Sequence, residues 1–312
     1  MYKDLIKIPT ANMPREVWLE ERRKSIGGSD AASILGLNKF SSPYSVWADK
    51  KGLLPEKEDS ESMRLGRDLE DYVAKRFTER TGKKVRRENY MIRNPRYPYA
   101  HADVDRMVIG EDAGLECKTT KTLTYKKFKN GEYPAYYYCQ CVHYMMVTGC
   151  KRWYLGVLVL GEGFYEFTIE RDEEEIQALA QSEEAFWEYV ERNNPPAPDG
   201  SKASSEAVSN VFSEVTDESV VLYGRDGLIA EYMELGEKIS ELENMRDEIS
   251  NKLKSELGQA QYGESNSYKV SWKMQSRTTY DTKRLFAEHP ELDAAKYQKQ
   301  SQYRTFKVGR IA

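Results

Sequence analysis

The apolar periodicity of this chain switches twice, and that switch restricts the fold more than any single motif. In "SMRLGRDLEDYVAKRFTERTG", Leu65, Leu69, Tyr72, Val73 and Phe77 recur at helical spacing, and Gly82 closes the segment. This is the stripe and stop of an amphipathic helix. Past Gly82 the period becomes two: "KKVRRENYMIR", "YAHADVDRMVI" and "AGLECKTT" read as strands, the last two joined by "GEDAG". A helix rich in aromatics, "AYYYCQCVHYMMVTG", comes next. Two more strands, "KRWYLGVLVLG" and "GFYEFTIE", and a further helix, "EEEIQALAQSEEAFWEYVERN", complete the series.

Upstream, "REVWLEERRKS" leads into "IGGSDAASILG", where Ser29 or Asp30 is expected to cap a helix running through Ile34 and Leu35. "SPYSVWADKKG" carries Pro43 in the first turn of another. Residues 194–207, "NPPAPDGSKASSEA", are rich in Pro, Gly and Ser and read as a linker. They divide a core of residues 1–193, helical in its N-terminal part, from an extension over 208–312. In the extension Leu228, Tyr232, Leu235, Ile239, Leu242, Ile249 and Leu253 follow alternating four- and three-residue steps, interrupted at Arg246. A long amphipathic helix is expected over about 225–258, packed on its own protein or on another subunit. "YKVSWKM" in the tail alternates as a strand does.

With 312 residues, 39% of them hydrophobic, the chain can bury a sizeable core in one large domain or two ordinary ones. It contains no apolar run of about 18 residues and no signal-like start, so a cytoplasmic location is expected. The four cysteines, Cys117, Cys139, Cys141 and Cys150, form no C-x-x-C pair. That spacing spells neither a zinc nor an iron–sulfur site and fits reduced, mostly buried thiols. A net charge of −4 argues against indiscriminate binding of nucleic acid, but the charge is uneven. Lys83, Lys84, Arg86 and Arg87 cluster, as do Lys121, Lys126, Lys127 and Lys129, and residues 266–312 hold ten Lys and Arg against four Asp and Glu.

In "GLECKTT", Glu116 and Lys118 are two apart on a strand and so share a face. Such a pair is either a solvated salt bridge or half of a catalytic centre. Two-metal phosphodiester cleavage needs hard oxygen ligands and a group that orients a water. Asp105 from the neighbouring strand, Glu116 and the helical Glu70 can supply carboxylates, and the backbone carbonyl of Cys117 a further ligand. Lys118 can offset charge in the transition state. The order is a helix with an acidic residue, an Asp, E-x-K some ten residues on, then a helix bearing Gln140 and Tyr144. It follows the PD-(D/E)xK nuclease pattern.

Five blocks in this order, "RRKSIGGSDAASILGLNKFSSPYSVWADKKG", "LGRDLEDYVAKRFTERTG", "AHADVDRMV", "GLECKTT" and "YYYCQCVHYMMVTG", resemble the YqaJ-like viral recombinase family, relatives of phage lambda exonuclease. The resemblance spans about residues 15–190, with a weaker echo in "VSWKMQSRTTYDTKRLFAEHPEL". It implies an α/β fold: a PD-(D/E)xK restriction-endonuclease-like core, its mixed central sheet flanked by helices, with a helical and basic C-terminal extension. It also implies an exonuclease dependent on Mg²⁺ or Mn²⁺, two ions to a site, that degrades the 5′ strand of linear double-stranded DNA. The remaining 3′ strand is then loaded with a single-strand annealing protein. A trimeric ring in the cytoplasm of a bacterial host is the implied form.

Carried over by position, the metal-binding Asp falls on Asp105 and the E-x-K on Glu116 and Lys118. Glu70, four residues after Gly66, matches the helical glutamate, and Gln140 with Tyr144 the helix that steadies site and substrate. Arg22, seven residues before Ser29, matches the pair that holds a terminal 5′ phosphate, a role for which Arg23 also competes. Arg106 departs from the family, where Gly usually follows the Asp; an arginine here is expected to contact a phosphate. Gly27 and Gly28 lack the lysine of a phosphate loop. His101 and His143 read as satisfied core residues, and "AYYYC" as core and rim. Two other functions fit the same residues: a catalytically silent DNA-binding or scaffold protein, and a structure-specific endonuclease.

Overall fold

The strands expected from the two-residue period form, but the first two stretches each break in the middle. The computed structural model describes residues 2–56, 59–121, 125–299 and 304–309. It contains two compact units, one up to Glu214 and one from Val215. The first begins with β1 (Ile6–Pro9), α1 (Arg15–Arg23), α2 (Gly28–Ile34), α3 (Pro43–Lys50) and α4 (Glu61–Thr81). Strands β2 (Val85–Arg87), β3 (Tyr90–Asn94), β4 (Tyr97–Asp103), β5 (Arg106–Val108) and β6 (Ala113–Thr120) follow. Then come α5 (Tyr125–Lys129), α6 (Ala135–Thr148), β7 (Arg152–Val159), β8 (Gly163–Glu170), α7 (Glu173–Glu191) and α8 (Lys202–Val211).

Glu88 and Asn89 separate β2 from β3, and Val104 and Asp105 separate β4 from β5, so the chain feeds two sheets instead of one. The smaller is antiparallel, in the order β1-β3-β4. The larger, β2-β5-β6-β7-β8, is mixed: β6 and β7 run parallel from Ala113↔Arg152 to Thr120↔Val159, and the other pairs are antiparallel. Asp105, read from the sequence as a strand residue, sits in the gap between the sheets.

Alternation assigns the faces of β6 and β7. Ala113, Leu115 and Tyr154 pack with Ala74 and Phe77 of α4. On the opposite face Trp153, Leu155 and Val157 join the main core with Met145 and Met146 of α6. Of the expected stripe on α4 only Val73, Phe77 and the adjoining Ala74 are buried, whereas Leu65 and Tyr72 are exposed. The cluster under the sheet reaches only the C-terminal half of the helix. Gly82 ends α4 in the left-handed region, φ 74°, which glycine adopts without steric cost.

Two boundaries differ from the sequence reading. The N-cap of α2 is Gly27, not Ser29 or Asp30, because the Asp30 carboxylate reaches back to accept the Gly27 N–H at 3.0 Å. The unit boundary falls after Glu214, beyond the Pro-rich stretch 194–207. Within and beyond that stretch α8 docks on α3: Ser204 Oγ donates to Ser42 Oγ at 2.9 Å, and Ala207 is buried. Small side chains on a polar segment resemble linker composition, yet here they permit close helix packing.

In the second unit α9 (Asp226–Leu257) precedes β9 (Tyr262–Glu264), which pairs antiparallel with β10 (Lys269–Ser271), and then α10 (Thr282–Glu288). The apolar seam of α9 from Leu228 to Leu253 is exposed. Among the described residues no helix is long and apolar enough to cross a membrane.

Gly114 faces Trp153 so closely that an added Cβ would lie 2.3 Å from the indole. Gly114→Ala is therefore expected to destabilise the core by about 1–3 kcal/mol. Urea unfolding should show a lower midpoint at unchanged slope; an unaltered midpoint would mean that the ring has room to move.

Candidate active site

The register of β5 on β6, Arg106↔Leu115 and Met107↔Gly114, places Asp105 one step further, across from Glu116. There the ladder has ended. The Cys117 N–H, left without a strand partner on this edge, donates to Asp105 Oδ2 at 2.8 Å. The Cys117 carbonyl points to the same edge, since both backbone groups of a strand residue do.

Glu116 and Lys118 point away from Cys117, toward α6. Gln140 Nε2 donates to Glu116 Oε1 at 2.8 Å and to the Tyr144 hydroxyl at 2.8 Å, while Gln140 Oε1 accepts from Lys118 Nζ at 2.9 Å. Lys118 Nζ closes the triangle, 2.6 Å from Glu116 Oε1. Glu116 is 2% exposed, so the pair is not a solvated bridge. Tyr144, only 4% exposed, stands behind Gln140 rather than on a surface that DNA can touch. A Cβ on Gly28 would come within 2.6 Å of its ring, so α2 can sit close only because that position is glycine.

Charge is unbalanced around this lock. Burial, then the carboxylates of Glu116 and Glu70, push the Asp105 carboxyl well above its ordinary range. Burial opposes the charge of Lys118, but Glu116 and Asp105 outweigh it and raise its pKa above that of an ordinary lysine. Lys118 is thus a fixed ammonium at neutral pH and not a proton acceptor. Glu116 Oε2 is buried without a hydrogen-bond partner.

Glu70 comes near Asp105 from α4 but is already committed. Arg106 donates to Glu70 Oε1, to the Asp105 carbonyl at 2.6 Å and to Asp71 Oδ1 at 2.6 Å. Arg87 holds the other oxygen of Asp71 at 2.6 Å. The Arg106 side chain is 4% exposed, so its expected contact with a phosphate is not what the structure provides: carboxylates enclose it. Asp71 was not singled out in the sequence. Its neighbour Glu70 had a motif position, whereas Asp71 gains its role only through Arg106.

Arg22 and Ser29, the pair that the resemblance implies for a terminal 5′ phosphate, lie nearby and touch each other. Arg22 Nη2 donates to Ser29 Oγ at 3.0 Å, its guanidinium lies 4.8 Å from the Trp18 ring, and its Nε is 3.8 Å from Asp103 Oδ2. Of the two arginines it is Arg22 that bonds Ser29. Arg22, Arg23, Arg15, Arg67 and Ser29 line a cavity of about 690 Å³. Trp18 and Thr10 line both this cavity and a smaller cleft with Glu70, Asp105 and Arg106. Burial raises the Asp30 carboxyl, but Lys50, whose Nζ is 2.6 Å away, and Arg22 prevail and keep it ionised. Lys50, also missed in the sequence, donates to the Arg22 carbonyl at 3.0 Å and so ties α3 to the end of α1.

Behind these residues lies a buried histidine chain. His143 Nε2 donates to the His101 carbonyl at 2.8 Å and its Nδ1 pairs with Glu183 Oε1 at 2.7 Å. Burial depresses the His143 pKa, yet the Glu183 charge and bond overcome it and hold the pKa above the usual value. His101 Nδ1 bonds Ser25 Oγ at 2.9 Å. Both rings are buried, as expected, but only His143 is fully satisfied: His101 Nε2 has no hydrogen-bond partner and lies 3.6 Å from Asp103 Oδ2.

Among the described residues no three His, Cys, Asp or Glu side chains gather tightly enough to hold a metal ion by themselves. The donor chemistry nevertheless fits a hard divalent cation. Glu116 has an orphaned buried oxygen, and Asp105 faces the like charges of Glu116 and Glu70.

A family model described as the YqaJ-like viral recombinase domain matches residues 17–151. The uncharacterized protein YqaJ of Bacillus subtilis (strain 168) is 39% identical over 308 residues, covering 97% of this chain and 96% of that protein. The crystal structure of LHK-Exo in complex with dAMP superposes with a TM-score of 0.50 at 22% identity, covering 57% of this chain and 94% of that one. LHK-Exo is described as an alkaline exonuclease from Laribacter hongkongensis, and a second structure of it gives a TM-score of 0.49. The first unit shares the α/β fold of LHK-Exo, with its mixed sheet flanked by helices.

Because the folded pKa of Asp105 is raised, the wild type loses stability as pH rises from the unfolded carboxylate value through the folded one. Asp105→Asn removes that loss and keeps an acceptor for the Cys117 amide. In EDTA the variant is expected to unfold at a higher temperature than wild type at about pH 9, the gap closing by about pH 3. A gap independent of pH would show that Asp105 carries no such strain.

Proposed function

Because the chain belongs to the YqaJ-like viral recombinase family, we propose that it is a DNA exonuclease dependent on Mg²⁺ or Mn²⁺ that degrades the 5′ strand of linear duplex DNA. One observation carries the reading. Lys118 and Gln140 share one oxygen of Glu116, leaving the other free and buried beside a strained Asp105. A surface salt bridge needs neither the burial nor the third partner.

Asp105 and Glu116 would hold the cation, with the Cys117 carbonyl on the same edge. When bound, such an ion supplies Lewis acidity toward the scissile phosphate and a water. Lys118 contributes a permanent positive charge where negative charge develops, and Gln140 fixes its direction by accepting from Nζ. Tyr144 positions Gln140 in turn, acting through it and not on the substrate. Arg22, braced by Ser29 and by the Trp18 ring, offers donors to a terminal 5′ phosphate in the arginine-lined cavity that shares Trp18 and Thr10 with the site. A 5′ end seated there enters the cleft first, which supports 5′ to 3′ polarity. The enzyme works in the bacterial cytoplasm as a ring of three copies, and its 3′-ended product strand passes to a single-strand annealing protein.

The deciding experiment uses linear duplex DNA labelled at each 5′ and 3′ end. Wild type is expected to shorten the 5′ strand stepwise in Mg²⁺ and not in EDTA, with Lys118→Ala slower by at least about 10²-fold. Cleavage confined to branched or internal positions would point to a structure-specific endonuclease, and binding without any cleavage to a scaffold. Arg22→Ala is expected to lose the rate advantage of a 5′-phosphorylated end over a 5′-hydroxyl end while retaining slow digestion. If Arg22→Ala keeps the wild-type preference, the arginine cavity is not the phosphate seat. Light scattering that finds a monomer at working concentration would remove the ring.

A further inference from the structure

Arg106 has a guanidinium where a metal site would place an ion. Its two terminal nitrogens take Glu70 Oε1, Asp71 Oδ1 and the Asp105 backbone carbonyl, an all-oxygen set of two carboxylates and a carbonyl. Hard divalent cations choose the same donors. The group is 4% exposed, and arginine does not deprotonate in proteins, so the positive charge is permanent. The other set of oxygens remains available: Glu116 Oε2 has no partner, and Asp105 faces both Glu116 and Glu70.

We propose that Arg106 is a built-in cation that occupies the Glu70 side of the site, so that the protein takes one divalent ion, on Asp105 and Glu116, in place of two. The inference rests on the metal-dependent reading of the same site. Charge supports it. Three carboxylates, Glu70, Asp105 and Glu116, already meet two fixed cations, Lys118 and Arg106, while Asp71 is shared with Arg87. One divalent ion takes the remaining single negative charge to a single positive one, whereas two would leave an excess of three positive charges around largely buried groups. Glu70 is then an anchor for Arg106 and not a metal ligand, which overturns the role that its motif position gives it. The departure from glycine after Asp105 becomes the residue that sets the number of ions.

Stoichiometry can be measured without DNA, by titrating Mn²⁺ into the full chain and following free Mn²⁺ by electron paramagnetic resonance. Wild type is expected to bind one equivalent. Arg106→Gln, which keeps N–H donors for Glu70 but removes the charge, is expected to bind two, and Arg106→Lys to stay at one. Two equivalents on wild type, or one on a folded Arg106→Gln, would overturn the proposal; should Arg106→Gln not fold, the wild-type count decides alone. One equivalent on a protein that cuts no DNA would leave the single-ion assignment standing and defeat the nuclease reading. A wild type that binds no Mn²⁺ would defeat both.

Discussion

A backbone amide that runs out of sheet is the constraint on which the site depends. Strand β6 pairs with β7 along its full length, but β5 accompanies only its first half. A buried N–H cannot be left unpaired without cost. At Cys117 the missing strand partner is replaced by the carboxylate of Asp105, which fixes that side chain across from Glu116. The break between β4 and β5 is therefore what frees Asp105 to bend inward. Had the strand continued as its alternation suggests, the residue would have been held in a ladder.

The opposite face of β6 achieves rigidity by another route. Gln140 has one donor end and one acceptor end, and it uses them on partners of opposite charge, Glu116 and Lys118. A carboxylate or an amine in its place could satisfy only one of the two. Tyr144 and Trp153, with ring centroids 5.1 Å apart, back the amide, and the glycines at 28 and 114 leave room for them. Further back, Glu183 of α7 grips His143, and His143 grips the His101 carbonyl. The helices before and after the sheet thus converge behind one glutamine.

Much of this was legible in the chain because periodicity fixes which residues share a face. The two-residue spacing put Glu116 and Lys118 together, and the short turn set Asp105 opposite them. Gln140 and Arg22 were legible through motif spacing. What escaped reading depends on partners distant in sequence. The alternation of "YAHADVDRMVI" hides the break at Val104 and Asp105, because a pattern of side chains does not record where hydrogen bonds end. The burial of Tyr144 and the dry, carboxylate-bound state of Arg106 follow from α6 and α4 closing on the sheet, and an isolated arginine or tyrosine gives no sign of it. The linker composition of 194–207 misled for a similar reason: Ser204 and Ala207 are small enough to pack, which composition alone counts as flexibility.

The parallel pairing of β6 with β7 has a kinetic consequence. Residues 121–151, including α6, must loop back before the first bond of that ladder can form. Loop closure precedes any gain from the contacts, and such pairings form slowly. Helix α6 can form locally, but Gln140 reaches Glu116 and Lys118 only after the helix has docked over a completed β6. The lock of Glu116, Lys118 and Gln140 is thus a tertiary product, assembled only when α6 closes on β6.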